Sequence, residues 1–233
     1  AIMLLPFLVS LIYKEHTAIY FIITAAVAIA IGYILANLKT ENRHIYAKEG
    51  FIIVALSWVV VSLVGALPFY ISGEIPNYID AFFETVSGFT TTGSTILNDI
   101  EALSRGMLFW RCFTHWIGGM GVLVFVLALI PKSEGQDMFL MKAEVPGPVV
   151  GKLVSKVHMT ARILYGIYAF LTVIEIIFLL FGGMPLFDSI VHAFSTAGTG
   201  GYAIKNSSIA FYNSYYIDMV VTVFMLLFGI NFN

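Results

Sequence analysis

Apolar residues in this chain are grouped into long uninterrupted blocks, and short polar segments separate the blocks. A helix needs about 20 apolar residues to cross the hydrocarbon core of a bilayer, and several blocks reach that length. The candidate spans are 17–38, 51–73, 106–130, 160–181 and 211–232, and residues 1–13 match the end of a further one. The pattern predicts an all-α polytopic membrane protein.

The composition supports this class. Only 11% of the residues are charged, whereas soluble domains carry about a quarter. No signal peptide is recognisable. The chain starts at Ala1 and ends within an apolar run, so we expect a piece of a longer protein, interrupted inside helices. The single Cys112 excludes an internal disulfide, and a net charge of −2 without a basic cluster argues against nucleic acid as a partner.

Lysine and arginine residues concentrate in two polar segments, 38–50 and 131–162. Cytoplasmic loops carry an excess of these residues, so we predict that both segments are cytoplasmic. Residues 74–105 and 182–210 then lie outside, and they contain several carboxylates. A carboxylate cluster at a mouth raises the local cation concentration. Ordinary solvation of surface loops is the alternative explanation.

Two apolar segments, 77–89 and 185–196, are too short to cross a bilayer, and we predict that they are re-entrant helices. Asn77 after a proline and Pro185 are helix-start signals for the first and the second segment. A short helix that enters from outside directs its C-terminus, the negative end of its dipole, towards the middle of the membrane.

Each short segment leads into a stretch rich in glycine and hydroxyl residues, SGFTTTGSTI at 87–96 and STAGTGGYAI at 195–204. A shift of 108 residues superposes the two stretches and their flanking spans, which indicates an internal repeat. The identities in this alignment are Asp80 with Asp188, Ser87 with Ser195, Thr91 with Thr199, Gly93 with Gly201 and Ile96 with Ile204.

The repeated stretches fit a cation-binding loop. Irregular backbone at membrane depth is tolerated where protein buries it or where it lines a water-filled path. Removing water from a monovalent cation is very costly unless other oxygens replace the hydration shell, and rings of backbone carbonyls can do so. Glycine supplies the positive φ angles that such a loop needs. The spacings of phosphate and dinucleotide loops are absent, and a simple turn is the alternative.

With these residues in view, the sequence resembles the Trk/Ktr/HKT superfamily of potassium transporters, most closely its bacterial TrkH type. The resemblance covers essentially the whole chain and rests on SGFTTTGST, HWIGGMGVLVF and STAGTGGYA. These segments are similar to the family's first pore loop, first M2 helix and second pore loop. In that family, repeated M1–P–M2 units surround one potassium pathway behind an N-terminal helix pair.

The resemblance implies the division of the chain and its surroundings. The implied segments are 1–49 for the helix pair with a cytoplasmic loop, 50–131 for the first repeat, 132–159 for a cytoplasmic connector with an amphipathic helix, and 160–233 for the second repeat. It also implies a multi-pass protein of the bacterial cytoplasmic membrane, a homodimer, and a cytoplasmic nucleotide-binding partner of the TrkA type.

The resemblance further implies a selectivity filter with one characteristic glycine per repeat, here Gly93 and Gly201. Some sodium-passing relatives carry serine at the first of these positions, so glycine favours potassium, with rubidium as a surrogate. Potassium is the substrate and no cofactor is implied. The neighbouring filter carbonyls would come from Thr91, Thr92, Thr199 and Gly200, with Thr90, Ser94, Gly198 and Tyr202 flanking them.

Glu175 lies in the middle of the span 160–181, where a charge facing lipid would cost about 3 kcal/mol. We predict that it forms a buried structural ion pair with Arg111, and Asp218 is a second candidate partner. Ion coordination by Glu175 is the alternative.

Other single residues allow narrower predictions. His115 is expected to be a hydrogen-bonded packing residue, because no second metal ligand lies at ligand spacing. Gly118, Gly119 and Gly121 predict a helix face that packs closely. Glu84 and His192 are equivalent in the repeat, and either tuning of a pore mouth or bonding to neighbours is open for them.

The sequence therefore predicts selective potassium transport rather than an enzyme. A sodium-passing or sodium/proton-coupled symporter is the first alternative. A membrane-embedded enzyme or a structural subunit is a weaker one, because Arg111, His115 and Glu175 are scattered and form no catalytic cluster.

Overall fold

The computed structural model describes residues 2–37, 47–121 and 157–230, and these parts are helical with no strand. The connector 132–159 with its amphipathic helix therefore lies almost entirely outside the described residues, as does most of the 38–50 loop. The helices are α1 Leu4–Ile12, α2 Ala18–Ala36, α3 Ala47–Ser72, α4 Tyr78–Phe89, α5 Arg105–Met120, α6 Val157–Phe181, α7 Leu186–Ala197 and α8 Tyr215–Phe228, with a 3₁₀ turn at Ser208–Tyr212.

The long helices agree with the predicted spans. Within the described residues, Phe51–Ser72 and Arg162–Phe181 are long and apolar enough to cross a membrane, while Ala18–Ile34 and Tyr215–Phe228 are shorter apolar helices. α5 ends at Met120, and the rest of the predicted span 106–130 lies beyond the described part of the chain. The last span begins later than predicted, because the 3₁₀ turn and the capping residue Ser214 precede α8.

The two short helices form where the sequence places them. The Asn77 side chain accepts a hydrogen bond from the Ile79 amide (2.9 Å) and so caps the start of α4. Pro185 occupies the N-cap of α7, where its missing N–H costs nothing. Both helices are twelve residues long, which confirms that neither can span a bilayer.

The helices pack as two similar units. In the first unit α4 packs against α3 and α5, and in the second unit α7 packs against α6 and α8. α5 also packs against α7, so this one helix joins the two units. The α1–α2 pair lies against α5 and α3. The internal repeat predicted from the sequence is therefore a repeat of structure.

Gly118 and Gly119 allow the close packing that the sequence predicts for α5, whereas Gly121 is the C-cap that follows the helix. A Cβ atom on Gly118 would lie 2.0 Å from the Phe89 carbonyl oxygen at the end of α4. A Cβ atom on Gly119 would lie 2.5 Å from the Tyr168 hydroxyl of α6 and 2.9 Å from the Gly198 Cα atom. Two adjacent glycines therefore allow α5 to pack closely against both units.

Candidate functional site

The two glycine-rich loops, residues 90–96 and 198–204, have positive φ angles at the same two equivalent positions. Thr91 and Thr199 both have a φ angle of 54°, and Gly93 and Gly201 have φ angles of 76° and 84°. These residues are pairwise equivalent at the 108-residue shift. A non-glycine residue with positive φ is uncommon and strained, and its occurrence twice at equivalent positions indicates that the conformation is required.

The same hydrogen bonds hold each loop to its short helix. The Thr91 amide donates to the Gly88 carbonyl (3.1 Å), and the Thr199 amide donates to the Thr196 carbonyl (2.8 Å). One residue later, the Thr92 and Gly200 amides donate to the carbonyls of Ser87 and Ser195, at 3.0 and 3.3 Å. Each loop therefore continues directly from the C-terminal end of its helix, where the helix dipole is negative.

The loop carbonyls differ in what they bind. The Ser94 carbonyl accepts from the Ser87 hydroxyl (2.6 Å) and shares the Tyr202 hydroxyl proton (3.3 Å) with the Glu84 carbonyl, so protein donors already contact it. Within the described residues, no donor is hydrogen-bonded to the backbone carbonyl oxygens of Thr91, Thr92, Gly93, Thr199, Gly200 or Gly201. These are the six predicted filter positions, and they are partly or fully exposed.

The two loops meet at Gly93. A Cβ atom there would lie 1.7 Å from the Gly200 carbonyl oxygen, so no side chain fits between the loops. The equivalent position in the second loop, Gly201, has no described atom within 4 Å of a Cβ. Gly93 thus permits the close approach of the second loop, while the matching side of Gly201 faces open space.

The predicted ion pair between Arg111 and Glu175 is wrong. Arg111 is buried against Glu84 of α4, with 2.5 Å between Nε and the Oε1 atom, and its Nη1 atom donates to the Ala203 carbonyl (2.8 Å). Glu84 also accepts from the Thr95 hydroxyl and the Ile96 amide. The packing explains this pairing. Because α4 lies directly against α5, the Glu84 carboxylate of α4 contacts the Arg111 guanidinium of α5. For Glu84, bonding to neighbours is the alternative that the structure supports.

Glu175 is fully buried, and neither of its carboxylate oxygens is hydrogen-bonded to a described residue. The nearby Thr196 hydroxyl donates instead to the His192 carbonyl (2.9 Å). Asp218, the second predicted partner, is exposed in the first turn of α8. Glu175 is consequently a buried polar group that the described part of the chain leaves unsatisfied.

His115 is a packing residue, as predicted. Its Nδ1 atom is 3.3 Å from the Ser195 hydroxyl, and its ring fills the space beside Gly200, where a Cβ atom would lie 2.3 Å away. The ring is stacked on Tyr202 with centroids 4.0 Å apart. In the described part of the chain, no group of three or more His, Cys, Asp or Glu side chains could hold a metal ion.

The carboxylates of the segments 74–105 and 182–210 are largely engaged with the protein. Glu101 pairs with Lys205 (3.0 Å), and Asp99 accepts from the Asn206 side chain (2.8 Å), so these contacts join the segments that follow the two loops. The hydrogen bond from Lys205 lowers the pKa of Glu101. Burial raises the pKa of Glu74, although the Ser104 amide donates to it. These pairings favour a structural role for these particular carboxylates.

The fold and the paired loops define a class, membrane proteins built from repeated helix–re-entrant helix–helix units. The chain belongs to the TrkH family, described as a cation transport protein, and matches it over residues 18–233. This confirms the family resemblance, and the relatives that the chain matches are named as transport proteins and not as enzymes.

Individual relatives give the same result. The chain is 42% identical to the Trk system potassium uptake protein TrkH of Salmonella typhimurium and 41% identical to that of Escherichia coli, over 99% of this chain and 48% of each relative. It is also similar to the crystal structure of the potassium transporter TrkH from Vibrio parahaemolyticus, with a TM-score of 0.79 and 33% identity, over 99% of this chain and 46% of that one. The chain thus spans about half the length of these relatives.

Proposed function

We propose that the complete protein containing this chain carries potassium across a bacterial cytoplasmic membrane, and that residues 90–96 and 198–204 are two of its filter loops. The observation that carries the proposal is the matched pair of loops. Each presents three successive carbonyl oxygens without a hydrogen-bond donor among the described residues, at equivalent positions after equivalent helices. Relatives at 41–42% identity are named potassium uptake proteins.

The proposed mechanism is replacement of hydration. Potassium enters from the outer side and loses water as the carbonyls of Thr91–Gly93 and Thr199–Gly201 take the place of water oxygens. The positive φ angles of Thr91 and Thr199 orient these carbonyls differently from those of the preceding helix. Below the loops, the negative C-terminal ends of α4 and α7 lower the energy of the cation.

The flanking residues would fix the loops rather than contact the ion. The Thr90 hydroxyl is bonded to the Val86 carbonyl and to Thr92, and the Ser94 carbonyl is already occupied by two hydroxyl donors. Gly198 lies against the His115 backbone, where a Cβ atom would come within 2.6 Å of the carbonyl oxygen. Tyr202 is buried and bonded to the first loop.

The remaining parts of the proposal rest on the charge distribution of the sequence and on the family resemblance. The segments 38–50 and 131–162 face the cytoplasm and the loops face outside, as the lysine and arginine distribution favours. The segments 1–49, 50–131, 132–159 and 160–233 form the helix pair, first repeat, connector and second repeat. A homodimer and a nucleotide-binding cytoplasmic partner follow from the family resemblance.

The test is rubidium uptake by the complete protein in liposomes, with potassium or sodium as competitor. We expect that potassium inhibits uptake and that an equal sodium concentration does not. Inhibition by both ions to the same extent would contradict potassium selectivity and favour the sodium-passing alternative. Absence of uptake with and without added cytoplasmic partner would contradict transport. If uptake depended on a sodium or proton gradient, the result would favour the coupled symporter over a passive potassium pathway.

A further inference from the structure

Tyr202, which follows the second loop glycine, is clamped between two side chains of α5. The Arg111 Cζ atom lies 3.5 Å from the centroid of the Tyr202 ring. The His115 ring is stacked on the same ring, with centroids 4.0 Å apart and an interplanar angle of 13°. Both groups lie over the centre of the ring, and they would overlap if they shared one face. They therefore hold Tyr202 from opposite faces, one helical turn apart on α5.

The clamped tyrosine also reaches the first loop. Its single hydroxyl proton is shared between the Glu84 carbonyl of α4 (2.7 Å) and the Ser94 carbonyl (3.3 Å), and Ser94 immediately follows Gly93. A residue of the second loop is thus hydrogen-bonded across to the first loop. All of these groups are buried except for Ser94, so water does not compete strongly for these bonds.

The guanidinium of Arg111 completes the connection. It pairs with Glu84, whose carboxylate accepts hydrogen bonds from the Thr95 hydroxyl and the Ile96 amide of the first loop. The Arg111 Nη1 atom donates a hydrogen bond to the Ala203 carbonyl of the second loop. One buried cation is therefore bonded directly to the second loop, connected to the first loop through the Glu84 carboxylate, and in contact with the Tyr202 ring. A planar guanidinium can make this combination of contacts and an ammonium group cannot.

We propose that Arg111 is a positioning residue for ion selectivity: together with Glu84 and Tyr202 it fixes the separation of the two loops, and through this separation the discrimination between potassium and sodium. This inference rests on the proposed function. Its physical basis is that a filter distinguishes two ions of equal charge by the spacing and rigidity of its oxygens. The connection is not a general feature of the repeat, because His192 stands where Glu84 stands in the first unit.

The experiment measures, in liposomes holding the complete protein, the sodium and potassium concentrations that halve rubidium uptake. The ratio of these concentrations reports selectivity and is independent of how many molecules are folded. We expect Arg111→Lys and Glu84→Gln to lower the ratio by about tenfold, with uptake still measurable. Tyr202→Phe keeps the stacking and removes only the hydroxyl, so we expect a smaller decrease in the ratio. This uncharged variant also tests the inference if the charged variants do not assemble.

The matched control is the exposed pair of Glu101 and Lys205, which joins the segments after the same loops at 3.0 Å. Glu101→Gln and Lys205→Met should leave the ratio unchanged. An unchanged ratio in all three buried variants, or an equal decrease in the control variants, would overturn the inference. A wild-type protein without potassium selectivity would instead overturn the proposed function, so the two failures are distinguishable.

Discussion

At the residue scale, Gly93 is the position where the two loops permit no side chain. A hydroxymethyl group there must displace the Gly200 carbonyl, because a Cβ atom would lie 1.7 Å from its oxygen. Displacing one carbonyl widens the spacing of the oxygens that replace hydration, which is the property that excludes sodium. The effect on selectivity therefore comes from the neighbouring loop as well as from Gly93 itself.

We predict that Gly93→Ser in the complete protein lowers the ratio of half-inhibiting sodium to potassium concentrations by about tenfold. The measurement is competition of rubidium uptake. Gly183→Ser is the control, because Gly183 has a comparable φ angle of 83° and no described atom within 4 Å of a Cβ. It carries the same backbone strain without a clash at the loops. If Gly93→Ser retained the wild-type ratio, the assignment of the loops would be wrong.

Glu175 allows a prediction on stability rather than on transport. Burying a polar group without a hydrogen-bond partner costs about 1–3 kcal/mol, and no described residue bonds to either oxygen. We predict that Glu175→Leu raises the thermal midpoint of the purified protein in detergent. Glu84→Leu is the matched control: it removes a buried glutamate that has three partners and should lower the midpoint. A lower midpoint for Glu175→Leu would contradict this prediction and would mean that the Glu175 carboxylate has a stabilising partner.

At the element scale, the start of α5 is capped by a side chain from a distant part of the chain. Glu15 accepts hydrogen bonds from the Arg105 amide (2.8 Å) and the Gly106 amide (3.0 Å). Ser104 occupies the N-cap position, but its own side chain makes no capping bond. The N-terminal helix pair is thereby tied to the helix that joins the two units.

We predict that Glu15→Ala destabilises the protein by about 1 kcal/mol, the usual cost of losing a cap. The measurement is the thermal midpoint in detergent. Ser104→Ala should change it little, because the Ser104 side chain makes no capping bond. The opposite order of the two effects would show that the Glu15 carboxylate is not what caps the start of α5.

The elements themselves were predictable to within a few residues, for identifiable reasons. The short helices were found because Asn77 and Pro185 mark their starts and because glycine-rich stretches follow them. The start of α8 was missed because the 3₁₀ turn at Ser208–Tyr212 is apolar, and hydropathy does not distinguish it from a transmembrane turn. The cap by Glu15 was also missed, since it joins residues about 90 positions apart.

At the scale of the whole molecule, the loops were predictable and their connection was not. Repetition at 108 residues marked the equivalent threonines and glycines, and repetition is visible in a sequence. The partner of Arg111 was predicted incorrectly because hydropathy ranks buried charges by depth and carries no information on which helix faces which. Glu84 was available as a candidate, but only the packing of α4 on α5 selects it.

The joint between the two units provides the last prediction. Gly119 of α5 lies against the second unit, and a larger side chain there would push α6 and the end of α7 away from α5. Overpacking a close contact costs about 1–3 kcal/mol. We predict that Gly119→Val lowers the thermal midpoint and also the ion selectivity, because the loop that follows α7 would move relative to the first loop.

Gly166→Val is the control for that change, since Gly166 is also in a long helix but has no described atom within 4 Å of a Cβ. It makes the same change in helix propensity without separating the units. Suppose that both variants lost stability equally and kept the wild-type ratio of half-inhibiting sodium to potassium concentrations. The prediction would then be wrong, and α5 would be a spacer between independent units. A selective effect of Gly119→Val would mean that the spacing of the loops is set by helix packing some distance below them, with Arg111 transmitting that spacing to the loops.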